Sequence, residues 1–152
     1  MQSTTIYQRS VHLFALAILC IIAFSFTSLG LDRYEIYLNK ELLLKQDVNQ
    51  PLSVRKMQLH RAKESDQLFI LYRHCHEPYV GTGRTILIKD EKGNTLKKWD
   101  FPNVAGADPR MKIAVRELQE LEKKNPSRNL VMYYSSSELS KGETLAFISF
   151  SS

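Results

Sequence analysis

Along most of this chain apolar and polar residues alternate in short runs, with a period of two. In YEIYL (34–38) the residues Tyr34, Ile36 and Leu38 share one side, the pattern of a strand with one buried face. Asn39-Lys40 then leads into ELLLKQ, which predicts a hairpin, because Asn tolerates a positive φ at a tight turn. QLFILY (67–72) and RTILIKD (84–90) are continuous apolar runs of strand length. DEKGN (90–94) supplies a second hairpin turn with Gly93 at the left-handed position, followed by TLKKWDF (95–101). MKIAV reads as a short strand, and RNLVMYYS (128–135) and ETLAFISF (143–150) complete the β pattern.

One stretch breaks the period. VRELQELEKKN (115–125) places Val115, Leu118 and Leu121 at helical spacing, with Lys123 and Lys124 in its last turn and Pro126 just beyond. Glu117, Glu120 and Glu122 then form a solvated face with potential for pairing four residues apart. The expected fold is mainly β: an antiparallel β-sandwich with one short helix.

The order of blocks repeats. SVRKMQL (53–59) resembles AVRELQEL (114–121), QLFILY resembles NLVMYY, and GRTILI resembles GETLAFI, at offsets of 61, 62 and 59. IYLNKELLLK has a looser echo in ILIKDEKGNTLKK. This predicts an internal two-fold duplication with half-units at about 34–89 and 84–150. Positions shared by the halves then read as fold: Tyr72 with Tyr134 as strand-end tyrosines, and Val54 with Val115 and Met57 with Leu118 as core.

Ahead of the β pattern, residues 11–30 carry no Asp, Glu, Lys or Arg, and Arg9 precedes them. The densest part, Leu13 to Phe26, is 14 residues, the size of a signal-peptide apolar region. Ser28 and Gly30 supply small residues for a cut before Leu31. Residues 1–30 therefore read as a signal peptide or, uncleaved, as an N-terminal anchor in the inner membrane, and 31–152 as a domain exported to the periplasm or cell envelope. Cys20 lies in the apolar segment, so Cys75 is the one cysteine of the exported domain and no disulfide can form within it.

Charge changes this picture little. The net charge is +5, and beyond Arg9 there are 20 basic and 16 acidic residues, interleaved throughout. No basic stripe marks the sequence as a nucleic-acid binder.

Candidate chemistry is confined to YRHCHEPY (72–79). On a continuing strand His74 and His76 share one face, and a bend would let Cys75 and Glu77 join them. Zinc sites want three or four ligands, and a Cys/His set suits soft copper. The second half closes the corresponding turn with the shorter SSSELSK, so the fold has no evident need of these side chains. We read the stretch as a polar loop with exposed histidines; metal or redox handling by His74, Cys75, His76 and Glu77 is the alternative. Tyr79 and Arg84 are candidate binding residues for a small ligand or an envelope protein. There is no nucleophile elbow, phosphate loop, HExxH or CxxC, and neither catalysis nor a cofactor is expected.

The hairpin IKDEKGNTLKKWDF and the block MYYSSSELSKGETLA together resemble small exported proteins of the Bacteroidota type over most of residues 34–150. That resemblance implies an exported β domain and supplies no catalytic residues. The sequence thus points to a non-catalytic envelope binding or interaction module.

Overall fold

The two hairpins form where side chains permit a sharp reversal. In the computed structural model, which describes residues 30–76, 80–103, 108–126 and 129–151, Asn39 adopts φ +55° between β1 (Arg33–Leu38) and β2 (Glu41–Asp47). Gly93, at φ +84°, turns β5 (Arg84–Lys89) into β6 (Thr95–Phe101). Buried Asp90 fixes this second turn by accepting the Lys92 and Asn94 N–H groups at 3.0 and 2.9 Å. The chain separates into Met1–Gly30 and Leu31–Ser152, and every strand and helix described lies in the second unit. Apart from Gly30, the expected signal or anchor lies outside the described residues. Among the described residues no helix is long and apolar enough to cross a membrane.

The remaining strands are β3 (Lys56–Gln58), β4 (Gln67–Arg73), β7 (Met111–Ala114), β8 (Leu130–Ser135) and β9 (Glu143–Ser149). They form two sheets, β2-β1-β4-β7 (sheet A) and β3-β9-β8-β5-β6 (sheet B). Tyr34, Ile36, Leu68, Ile70 and Ile113 from sheet A and Ile86, Ile88, Met132, Ala146 and Ile148 from sheet B belong to one buried core. The helix α1 (Val115–Lys124) adds Val115 and Leu118 to that core, as its apolar spacing predicts. Its first N–H is satisfied by the Asp66 carbonyl at 3.0 Å, and Glu117 receives the Trp99 indole N–H at 3.1 Å. The protein is mainly β, with two sheets and one short helix.

Both sheets contain the same local arrangement. In sheet A, Tyr34 and Ile36 of the hairpin oppose Tyr72 and Ile70, and the hairpin register slips between Ile36 and Tyr37. In sheet B, Ile86 and Ile88 oppose Tyr134 and Met132, and the slip falls between Ile88 and Lys89. Gly83 and Gly142, each just ahead of a strand, both have positive φ, +56° and +69°.

Two expectations need correction. β3 runs parallel to β9, whereas every other pairing among the described strands is antiparallel. The buried guanidinium of Arg55 accounts for this placement. It donates to the Glu143 carboxylate and the Thr144 carbonyl at the start of β9, and to the Val48 and Gln50 carbonyls at 2.6 and 2.9 Å. The second correction concerns the VRxxQ blocks. Residues 52–54 form a 3-10 turn that leaves Val54 47% exposed, whereas Val115 is buried in a helix. Val54 is therefore not a core residue: in this block Arg55, Met57 and Leu59 face inward.

Candidate functional site

β4 carries Tyr72 and, one residue past its end, His74 into the interior. His74 is only 7% exposed, so it is no exposed loop histidine. Its Nδ1 lies 3.1 Å from Asp32 Oδ2, and its Nε2 lies 3.1 Å from the Tyr134 hydroxyl and 3.3 Å from Ser136 Oγ. The tautomer that donates from Nδ1 to the carboxylate leaves Nε2 to accept a hydroxyl proton. Asp32 also accepts the Tyr72 hydroxyl at 2.9 Å and the Cys75 N–H at 2.9 Å. Burial pushes its carboxyl upward, but these donors and His74 outweigh burial and hold it below the ordinary Asp range.

Three buried tyrosines back the cluster. The Tyr72 ring stacks on Tyr134 at 4.1 Å and lies parallel to Tyr34 at 6.3 Å. The Tyr34 hydroxyl donates to the Leu145 carbonyl at 2.6 Å, whereas those of the two strand-end tyrosines, Tyr72 and Tyr134, meet the side chains of Asp32 and His74. Burial raises Tyr34 and Tyr134 to about 12. A lid completes the enclosure. Gly81, at φ +67°, passes so close that a Cβ there would stand 2.7 Å from His74 Nε2 and 3.0 Å from the Tyr134 hydroxyl. Glu138 fastens this lid by accepting the Thr82 N–H at 2.8 Å and the Thr82 hydroxyl at 2.7 Å. Burial is the largest single influence and pushes its carboxyl up, but the Thr82 bonds, with further donors from its own backbone and Ser136, together outweigh it and bring the group to about 2.

Asp32, His74 and Ser136 stand in the order of a hydrolase charge relay. Here the serine is 6% exposed, its Oγ accepts the Leu139 N–H at 3.1 Å, and the Tyr134 hydroxyl competes for the same imidazole nitrogen. The three serines 135–137 do not form a turn by themselves: Ser135 ends β8, paired with Thr85, and Ser136 and Ser137 lead into the turn, with Ser136 as its inner anchor.

Among the described residues the structure turns the His74 side chain to Asp32, Tyr134 and Ser136 and leaves Cys75 and His76 side by side. His74 points inward and His76 is exposed, because the chain leaves strand geometry after Arg73. Cys75 Sγ lies 2.8 Å from His76 Nδ1. Burial and the neighbouring Asp32 carboxylate push the Cys75 thiol up, away from the thiolate that metals and oxidants need. No group of three or more potential ligands occurs among the described residues. Glu77 and Tyr79 lie outside the described residues. Arg84 is also buried, donating to the Pro109 and Pro102 carbonyls at 2.6 and 2.9 Å; it ties down the ends of the 102–109 connection rather than facing a ligand.

These pKa shifts give stability a defined pH profile. Asp32 and Glu138 titrate lower in the folded chain than in the unfolded one. Their contribution is present above the ordinary carboxylate range, about pH 4, and is lost as pH falls toward 2. The tyrosines are raised, so their contribution is present below pH 10 and is lost as pH rises toward about 12. Urea midpoints are expected to form a plateau that falls on both sides, and replacing Tyr34 or Tyr134 by Phe should leave the tyrosinate absorbance of the folded protein near pH 10 unchanged. A loss of that absorbance on either replacement would contradict this.

The chain matches no protein-family model, and no curated protein or solved structure shows significant similarity to it.

Proposed function

We propose that this protein is a non-catalytic interaction module of the bacterial cell envelope, exported by its N-terminal segment and built as a β-sandwich from two duplicated halves. The matching registers of Tyr34–Tyr72 and Ile86–Tyr134 support the duplication. The uncharged run ahead of Leu31 supports export. The observation that carries the functional reading is the internal saturation of His74. Both its ring nitrogens are engaged by Asp32, Tyr134 and Ser136 beneath the Gly81 lid. A nucleophile or metal ligand needs an open position, and these groups are committed to one another.

A two-part measurement tests this. Protease added to spheroplasts should remove a C-terminal tag. A fluorophosphonate applied to the folded protein should leave Ser136 unlabelled in intact mass. A protected tag would remove the envelope assignment, and a Ser136 adduct would make the cluster a reactive centre.

A further inference from the structure

Sheet B has an outward face that the core does not use. Along β5, β8 and β9 the inward residues Ile86, Ile88, Met132, Tyr134 and Ile148 alternate with Leu87, Val131, Tyr133 and Phe147. These four are half-buried and stand outside the core cluster and the residues packed against it. They are contiguous across the strands: Leu87 opposes Tyr133, and Val131 opposes Phe147. One row reads Lys89–Val131–Phe147–Lys56 across four strand positions, with a lysine at each end. Beside Phe147 the face dips into a groove of about 360 Å³ bordered by Lys56, Met57, Gln58, Asn129 and Ser149.

The acidic groups near this face already have partners: Glu91 accepts from Asn129 at the rim of the groove. Asp100 is engaged by Lys98 at 2.9 Å. Lys89 sits over the Tyr133 ring at 3.7 Å, and neither Lys89 nor Lys56 has an ion-pair partner among the described residues. We infer that this face docks a partner protein through an extended segment in which two carboxylates flank apolar residues. Deepening the interaction-module reading on which it rests, this assigns the face and the chemistry of what it binds. Three inter-strand steps separate Lys56 from Lys89, roughly 14 Å, which an extended chain covers in about four residues. The segment therefore carries its acidic residues about four apart, with an apolar side chain between them seated in the groove. Isologous pairing with a second copy would set lysines against lysines. A lipid surface is favoured by fully exposed apolar side chains, and these lie half-buried.

Random peptides displayed on phage, selected on the full-length protein, test this. Selected peptides should be enriched in paired Asp or Glu about four residues apart around apolar residues. A synthetic peptide of that pattern should lose at least tenfold in affinity on K56E/K89E, and a variant far from this face, H76A, should bind normally. Thermal melts of K56E/K89E should match the parent, since neither lysine belongs to the buried core. Three results would overturn the proposal: no enrichment over an unrelated control protein, binding that survives the lysine reversal, or lysine-dependent binding only to phosphatidylglycerol vesicles. A dimer dissolved by V131E would be a fourth, replacing it with self-association. None of these results alters tag accessibility or Ser136 labelling, so this inference and the broader functional reading fail separately.

Discussion

Arg55→Ala is expected to destabilise the protein by about 3–5 kcal/mol, the range for removing one partner of a buried ion pair. Arg55 is 1% exposed, and its guanidinium holds Glu143, three backbone carbonyls and, at 5.8 Å, the face of the Tyr34 ring. Its loss leaves a carboxylate and carbonyls without donors and detaches the 48–50 turn and β3 from β9. Lysine should rescue little, because one ammonium cannot reach both arms of this fork. Arg55→Met with Glu143→Gln should cost less than the sum of the single changes, since the uncompensated charge is then gone. Urea midpoints of the set measure this, and a loss below about 1 kcal/mol for Arg55→Ala would remove the ion pair from the account.

His74→Ala is expected to cost about 2–4 kcal/mol, because buried groups left without partners bear their full desolvation penalty. Asp32 loses its imidazole neighbour, and Tyr134 and Ser136 lose their shared acceptor. The Tyr72 ring also loses the tilted contact at 4.9 Å. Glutamine should recover part of the loss, since it offers one donor and one acceptor. The readout is a lowered urea midpoint at unchanged slope.

Elements whose causes are local were legible in the sequence. Asn39 and Gly93 set their turns through their own backbone preferences, and Val115, Leu118 and Leu121 define the helix by spacing alone. The buried polar groups were not legible, because their partners are distant in the chain: Asp32 precedes His74 by 42 residues and Tyr134 follows it by 60. A signal did exist in the strand parity. His74 lies two residues beyond inward Tyr72, Arg84 two before inward Ile86, and Arg55 two before inward Met57. Polarity suggested an exposed His74 and charge a ligand-binding Arg84, and Arg55 was given no role; all three lie inside. The outward stripe on sheet B was hidden for a related reason. Leu87 and Phe147 sit in continuous apolar runs, and only the pairing of β5, β8 and β9 shows which members face away from the core.

His74 is expected to act as a closed structural lock, and its neighbours Cys75 and His76 to serve no metal. Urea unfolding of the parent, H74A and C75S/H76A, each with and without a chelator, tests this most directly. The account predicts a loss of about 2–4 kcal/mol confined to H74A, a change within about 0.5 kcal/mol for C75S/H76A, and no effect of chelator on any of them. An H74A midpoint equal to the parent's, or a parent midpoint that drops on chelation to that of C75S/H76A, would contradict it.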